Sequence, residues 1–165
     1  LRRQRQMCIR DSIITVEDDE LIVAFLDMVE NHKMIVENSG LLTVAALKHL
    51  GVKDKRVVSI LSGGNMDVIT MSSVVQQGLI FRDRIFTVSV LLPDKPGELA
   101  KVSQTLADVQ GNVIKLEHNQ FVTTNRSAAV ELRITLECFG TEHKEQIIAA
   151  LEKKGYKPRI VRTMI

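Results

Sequence analysis

At 165 residues, 45% hydrophobic and 25% charged, the chain has the composition of one globular domain or two small ones. No apolar run approaches the ~20 residues of a membrane span, and 4% aromatics without tryptophan offer bases no stacking platform, so neither membrane nor nucleic acid is expected as a partner. Arg2, Arg3, Arg5 and Arg10 against Asp11 place +3 in residues 1–12, so the formal charge of +2 leaves −1 on the remainder.

Residues 1–12 show no usable periodicity and lack the apolar core of a secretion signal. They read as foreign leader sequence, with an amphipathic targeting peptide as the alternative. Thr15 is placed to cap a helix whose first turn holds Glu17, Asp18, Asp19 and Glu20, where the helix dipole favours acids. Ile22, Phe25, Leu26 and Val29 form its apolar stripe. Met34 to Glu37 is short and apolar, Asn38-Ser39-Gly40 turns the chain, and Leu41 to Leu50 predicts a second helix ending at Gly51. Arg56 to Leu61 carries Val57, Val58, Ile60 and Leu61 in a nearly continuous run, which predicts a strand buried on both faces, as in a parallel sheet. Ser62-Gly63-Gly64-Asn65 breaks it, and Met66 to Gln77 predicts a helix that ends at Gly78. A buried strand entering a Gly-Gly turn and a helix is a common cofactor position in α/β proteins, although the turn alone reads as structural punctuation.

In the second half, Phe86, Val88, Val90 and Leu92 alternate with Thr87 and Ser89, a period-2 strand. Pro93-Asp94-Lys95-Pro96-Gly97-Glu98-Leu99 stops it. Pro96 fixes its own φ, and Gly97 lets backbone N–H groups approach another group without a Cβ in the way. Leu99, Val102, Leu106 and Val109 then fall on one helical stripe, which Gly111 ends as a C′ glycine. The N–H groups at such a helix start attract carboxylates and other anions. Val113 to Phe121 predicts a second strand, Thr123 to Arg126 a hairpin-like connection, and Ser127 to Cys138 a strongly alternating third strand. Thr141 is placed to cap a helix through Lys154 with Ile147, Ile148 and Leu151 facing inward; Gly155 ends it, and Lys157 to Arg162 closes as a short strand. The order βαββαβ makes this half an α+β, ferredoxin-like sandwich. Cys8, Cys138 and the four histidines match no metal or redox spacing, so no metal is expected; a reduced cytoplasmic protein with one buried thiol is.

Pro96, Gly97 and Leu99, the amphipathic helix, and Gly111-Asn112-Val113-Ile114 together resemble the signature of the ACT domain, a small ligand-sensing module of amino-acid metabolism. Ile35 to Gly40, the helix ending near Leu50, and Val57 to Asn65 resemble the end of the catalytic domain of threonine ammonia-lyase (threonine dehydratase). That family is a fold-type II, tryptophan synthase β-like, pyridoxal-phosphate enzyme whose members often carry a C-terminal ACT-like domain. The resemblance divides the chain into a leader at 1–12, a truncated α/β remnant of the catalytic domain at 13–78, a linker at 79–83 and an ACT domain at 84–163.

For the remnant, the resemblance implies that Ser62 hydrogen-bonds the cofactor's pyridine nitrogen; a hydroxyl there leaves the nitrogen largely neutral, which suits prompt β-elimination. Glu37 matches an acid facing cofactor and substrate, or is a carboxylate in solvent, while Gly63, Gly64 and Asn65 shape the turn. No Ser-Phe-Lys-like motif or tetraglycine-like loop is present, and Lys33, Lys48, Lys53 and Lys55 have no claim to the Schiff base. The parent protein would then deaminate threonine to 2-oxobutanoate and ammonia, whereas this polypeptide is expected to hold no pyridoxal phosphate, to contain no catalytic residue and to be inactive. About 65 residues taken from a larger α/β domain are also expected to be loosely ordered. For the ACT part, the resemblance implies a homodimer. Its effector, isoleucine or valine, would lie between Asp94, Lys95, Pro96, Gly97, Glu98 and Leu99 of one subunit and Asn112, Val113 and Ile114 of its neighbour. A free-standing amino-acid-binding regulator is the alternative.

Overall fold

The computed structural model describes residues 12–119 and 129–163. The chain divides into two compact units, the first ending at Gly78 and the second beginning at Leu79.

The first unit opens with α1 (Asp18–Asp27), capped by Glu17 rather than Thr15. Glu17 N–H donates to Glu20 Oε2 at 2.9 Å in a capping box, so an acid three residues in satisfies the donor that a threonine cap would have served. A π-helical turn (Met28–His32) extends α1 and closes at Lys33, which is left-handed at φ 57°. The predicted helix over 41–50 is broken into a 3₁₀ turn (Asn38–Leu41), α2 (Leu42–Ala45) and a second 3₁₀ turn (Ala46–His49). Leu21, Ile22, Phe25, Met28, Val36, Leu41 and Ala45 form the core, joined by Val74 of α3 (Val68–Phe81). That helix runs through Gly78 rather than stopping there. A Cβ at this position would lie 2.5 Å from Leu26 Cδ1, so close packing on α1 explains the glycine. Lys48 and His49 hold Glu20 at 2.6 and 2.9 Å and lower its carboxyl to about 2.

The strand predicted over 56–61 does not form; Val58 and Ile60 are 88% and 72% exposed, and of this run Leu61 packs on the core. A parallel strand needs neighbours for its backbone groups, and every strand among the described residues belongs to the second unit. The segment is instead held along α2: Thr43 Oγ1 donates to the Ile60 carbonyl at 2.8 Å.

The second unit follows the predicted order: β1 (Ile85–Pro93), α4 (Glu98–Asp108), β2 (Asn112–Asn119), β3 (Ala129–Glu137), α5 (Thr141–Lys153) and β4 (Arg159–Val161). The sheet is antiparallel in the order β2-β3-β1-β4. Phe86, Val88, Val90 and Leu92 of β1 and Leu132, Ile134 and Leu136 of β3 face Val102, Leu106, Ile147 and Leu151 of the two helices. The hairpin expected at Thr123 to Arg126 lies outside the described residues. Gln110 at φ 59°, not Gly111, takes the left-handed position after α4. Gly111 N–H closes the cap onto the Leu106 carbonyl at 2.9 Å, and a Cβ on Gly111 would come within 3.3 Å of Ile147 Cδ1. Gly140 precedes α5 as its cap, while Gly155 at φ 89° terminates the helix as expected.

Thr141, the expected cap of α5, donates its hydroxyl to Asp83 Oδ2 at 2.8 Å, and Lys144 Nζ lies 2.6 Å from Asp83 Oδ1. Lys144 foremost holds the Asp83 carboxyl below the usual range, whereas burial pushes the Cys138 thiol up. A lowered folded-state pKa contributes stability above the ordinary carboxylate value and loses it as pH falls through the folded one. Asp83→Asn should therefore cost about 1–2 kcal/mol near neutrality. In paired thermal melts that deficit should shrink below about pH 4; an equal deficit at pH 7 and pH 3 would contradict the assignment.

Candidate functional site

The Ser62 turn is built by close approach of two loops. Glu37 N–H donates to the Gly63 carbonyl at 3.4 Å, and Ser39 Oγ donates to Glu37 Oε1 at 2.7 Å. Gly63 is left-handed at φ 80°, and a Cβ on it would lie 2.2 Å from Glu37 Oε1. At Gly40 a Cβ would meet the Ser62 carbonyl oxygen at 1.8 Å, and at Gly64 it would meet the Ile35 carbonyl at 3.5 Å. Gly40 thus lets the 35–40 loop meet the 62–64 turn backbone to backbone, and Gly63 leaves room for the Glu37 carboxylate, whereas a Cβ on Gly64 would make only an ordinary contact. The structure brings Glu37, Ser62, Gly63 and Gly64 together, with Glu37 half-buried and the turn exposed. Asn65 is exposed and outside that contact set. Ser62 follows a stretch without regular structure rather than a strand end, contrary to expectation.

Asp67, just beyond the turn, was missed in the sequence. Its Oδ1 accepts from the N–H groups of Ile69 and Thr70 at 3.0 and 2.9 Å, and Thr70 Oγ1 bonds Oδ2. Thr70 chiefly holds this carboxyl below its usual range. An acid two and three residues before the donating N–H groups of α3 is an N-cap signal, and it was legible. It fixes where the turn ends and the helix begins.

The residues present do not fit a complete pyridoxal-phosphate site. Ser62 offers a hydroxyl for a pyridine nitrogen. Lys33 Nζ donates to the Glu30 carbonyl at 2.6 Å, Lys48 pairs with Glu20, and Lys53 and Lys55 are exposed in a stretch without regular structure. Lys33 and Lys48 are engaged elsewhere, and no chemical step through the cofactor follows from these residues.

The second candidate site is the β1–α4 turn. Lys95 N–H donates to the Pro93 carbonyl at 2.8 Å, and Gly97 caps α4 at φ 90° with nothing within 4 Å of the position a Cβ would take. The left-handed glycine leads into the helix start: Glu98 N–H donates to the Lys95 carbonyl at 3.4 Å and Lys101 N–H to the Gly97 carbonyl at 3.1 Å, so the N–H groups of Leu99 and Ala100 between them precede the first intrahelical bond. Glu98 in this first turn is tied to Lys101 Nζ at 2.6 Å. Asp94, Lys95, Pro96, Gly97 and Leu99 are exposed, and Glu98 is half-buried.

Asn112, Val113 and Ile114 are also exposed, but at the other end of the sheet. Register settles this: Asn112 and Ile85 both lie opposite Glu137, whereas Pro93 lies opposite Ala129. The length of β1, roughly 25 Å at ~3.3 Å per residue, separates the two sets within one chain. Asn112 Nδ2 donates to Glu137 Oε2 at 3.0 Å, which leaves the amide oxygen as its remaining side-chain acceptor. β2 is an edge strand with Val113, Ile114 and Leu116 at 38%, 47% and 40% exposure and a bulge between Val113 and Lys115.

Residues 86–155 match the ACT domain family. The chain is 34% identical over 88% of its length to L-threonine ammonia-lyase of Geobacter sulfurreducens, covering 37% of that protein. It is 32% identical over 92% of its length to L-threonine ammonia-lyase of Thermotoga maritima, covering 38% of that protein. L-threonine dehydratase biosynthetic IlvA of Pasteurella multocida matches at 29% identity over 88% of the chain and 28% of its own length. The chain thus spans well under half the length of these relatives. It carries an ACT domain and corresponds, along about nine-tenths of its residues, to the C-terminal part of the threonine ammonia-lyases.

Proposed function

We propose that this chain is the regulatory end of a pyridoxal-phosphate-dependent threonine ammonia-lyase that converts threonine to 2-oxobutanoate and ammonia. In this reading residues 13–78 are the far wall of the cofactor pocket, with Ser62 toward the pyridine nitrogen and Glu37 toward cofactor and substrate. Gly63, Gly64 and Asn65 shape the turn that carries Ser62. Residues 79–83 link this wall to an ACT domain at 84–163 that senses isoleucine or valine, and the protein works in the cytoplasm. The observation that carries the reading is that similarity to the ammonia-lyases runs through both units in one order, rather than through the ACT domain alone. A free-standing sensor has no need of the Glu37–Gly63 contact or of the two glycines, Gly40 and Gly63, that close it.

The effector reading rests on the exposed helix start after Gly97 and on the exposed apolar edge of β2. A ligand carboxylate would take the α4 N–H groups, and its ammonium would lie between Asp94 and the Asn112 amide oxygen. Since those two sets sit at opposite ends of one sheet, they can meet only if a second copy supplies one of them. A homodimer would pair β2 edges side by side, because an unpaired, partly apolar edge strand favours another strand.

The chain itself is proposed to be inactive. When pyridoxal phosphate is added to the whole chain, no aldimine absorbance should develop and no 2-oxobutanoate should form from threonine. A stoichiometric lysine-linked aldimine would overturn this part of the proposal.

A further inference from the structure

The face of the sheet turned away from α4 and α5 is polar, and strand register sets its rows. Lys115, Thr135, Thr87 and Val161 stand side by side across β2, β3, β1 and β4, and Glu117, Arg133, Ser89 and Arg159 form the next row. Here lies a groove of about 160 Å³ lined by Lys115, Glu117, Arg133, Arg162 and the two threonines, with Val161 at its β4 side. That volume suits a small molecule rather than a chain segment.

Three features of the groove point to one ligand chemistry. Its floor is Thr87 and Thr135, both buried, with their Oγ1 atoms 3.0 Å apart. Two hydroxyls carry two protons and their mutual bond uses one, so a second donor remains for an acceptor in the groove. Arg133 Nε is buried and lacks a hydrogen-bond acceptor; Glu131 Oε2 lies 3.2 Å away, close enough for an ion pair but out of line for a hydrogen bond. A buried donor left this way is rare in folded proteins and calls for a partner. Finally, the lining holds three cations against one acid, and that acid, Glu117, is drawn onto Lys115 Nζ at 2.8 Å. The neighbouring Glu131 is held by Ser89 Oγ at 2.6 Å. Donors and positive charge therefore converge where acceptors are already engaged.

We propose that this groove binds the oxyanion head of a small molecule, a carboxylate or a phosphate, on Arg133, Lys115 and the Thr87–Thr135 pair. The site is separate from the Asp94–Leu99 turn and does not depend on the effector reading. The test is a titration of the full chain with inorganic phosphate, and separately with acetate, at constant ionic strength set by chloride. The readout is the amide shifts of Thr87, Lys115 and Thr135. Saturable shifts are expected with at least one anion, and the tighter of the two identifies the head group. Arg133→Gln should weaken binding about tenfold, because a charge-assisted forked donor is lost. Arg133 also faces Glu131, so Lys115→Gln on the exposed edge strand serves as the second variant. It should weaken binding about threefold or more with an unchanged melting temperature. Linear, unsaturating shifts with both anions, or equal affinity in the wild type and Lys115→Gln, would overturn the proposal.

Discussion

Gly40→Ala is expected to drive the Ser62 turn away from Glu37 and to destabilise the first unit by about 3 kcal/mol or more. The new Cβ would lie 1.8 Å from the Ser62 carbonyl oxygen and 2.8 Å from Val36 Cγ1. The first is a backbone atom and the second belongs to a side chain that is only 3% exposed, so neither can step aside cheaply. Relief requires the whole 60–64 segment to move, which breaks the Glu37–Gly63 hydrogen bond and frees the Thr43–Ile60 contact. Hydrogen exchange followed by mass spectrometry should show lost protection in the peptide that carries Glu37, whose N–H is the donor to Gly63, and along α1 in the variant. Gly51→Ala is the matching control, since nothing lies within 4 Å of a Cβ there. Unchanged protection in Gly40→Ala would mean that the two loops are not packed as described.

In the second unit the largest expected effect is that of Ile134→Ala. Ile134 is fully buried at the centre of the sheet, between β1 and β2, and belongs to the cluster that both helices cover. Truncating a buried isoleucine costs about 2–5 kcal/mol, the spread reflecting how far the site can collapse. For a unit of this size, that lowers Tm by roughly 10–30 °C. Ile160→Ala on β4, at 55% exposure, should shift Tm far less, because little area leaves water there in the folded state. Equal shifts from the two substitutions would contradict the assignment of the core.

The second unit was legible because it completes its own core within the chain. The alternation of Phe86, Val88, Val90 and Leu92 against Thr87 and Ser89, and of Leu132, Ile134 and Leu136 against Arg133 and Thr135, names the helix-covered face residue by residue. The stripe Val102–Leu106 needs only that face as partner. Residues 56–61 failed for the opposite reason. A nearly continuous apolar run states what a segment would bury inside a parallel sheet, but the strands that would flank it are not among the described residues. Val58 and Ile60 are left exposed in consequence.

Helix ends were misplaced where two residues compete for one role. Glu17 displaced Thr15 through its box with Glu20, and Gln110 took the left-handed position that Gly111 was expected to fill. Gly78 and Gly111 read as stops in the sequence, yet both are small because a neighbour packs against them. A glycine's reason, conformation or contact, is not written in its own position. In the candidate sites, the glycine turns were legible from composition. The Glu37–Gly63 contact was not, because it joins loops 26 residues apart that only the folded unit brings together. The opposite placement of Asp94–Leu99 and Asn112–Ile114 follows from strand order alone, and it is what makes a second copy necessary to the proposed sensor.

Calorimetric titration of the full chain with isoleucine, valine, threonine and serine tests the central claim most directly. Saturable heat is expected with isoleucine or valine, and it should disappear in Gly97→Val, where a β-branched residue cannot hold the φ of 90° through which the chain enters α4. Absence of heat with all four amino acids would contradict the account of the second unit as an amino-acid sensor.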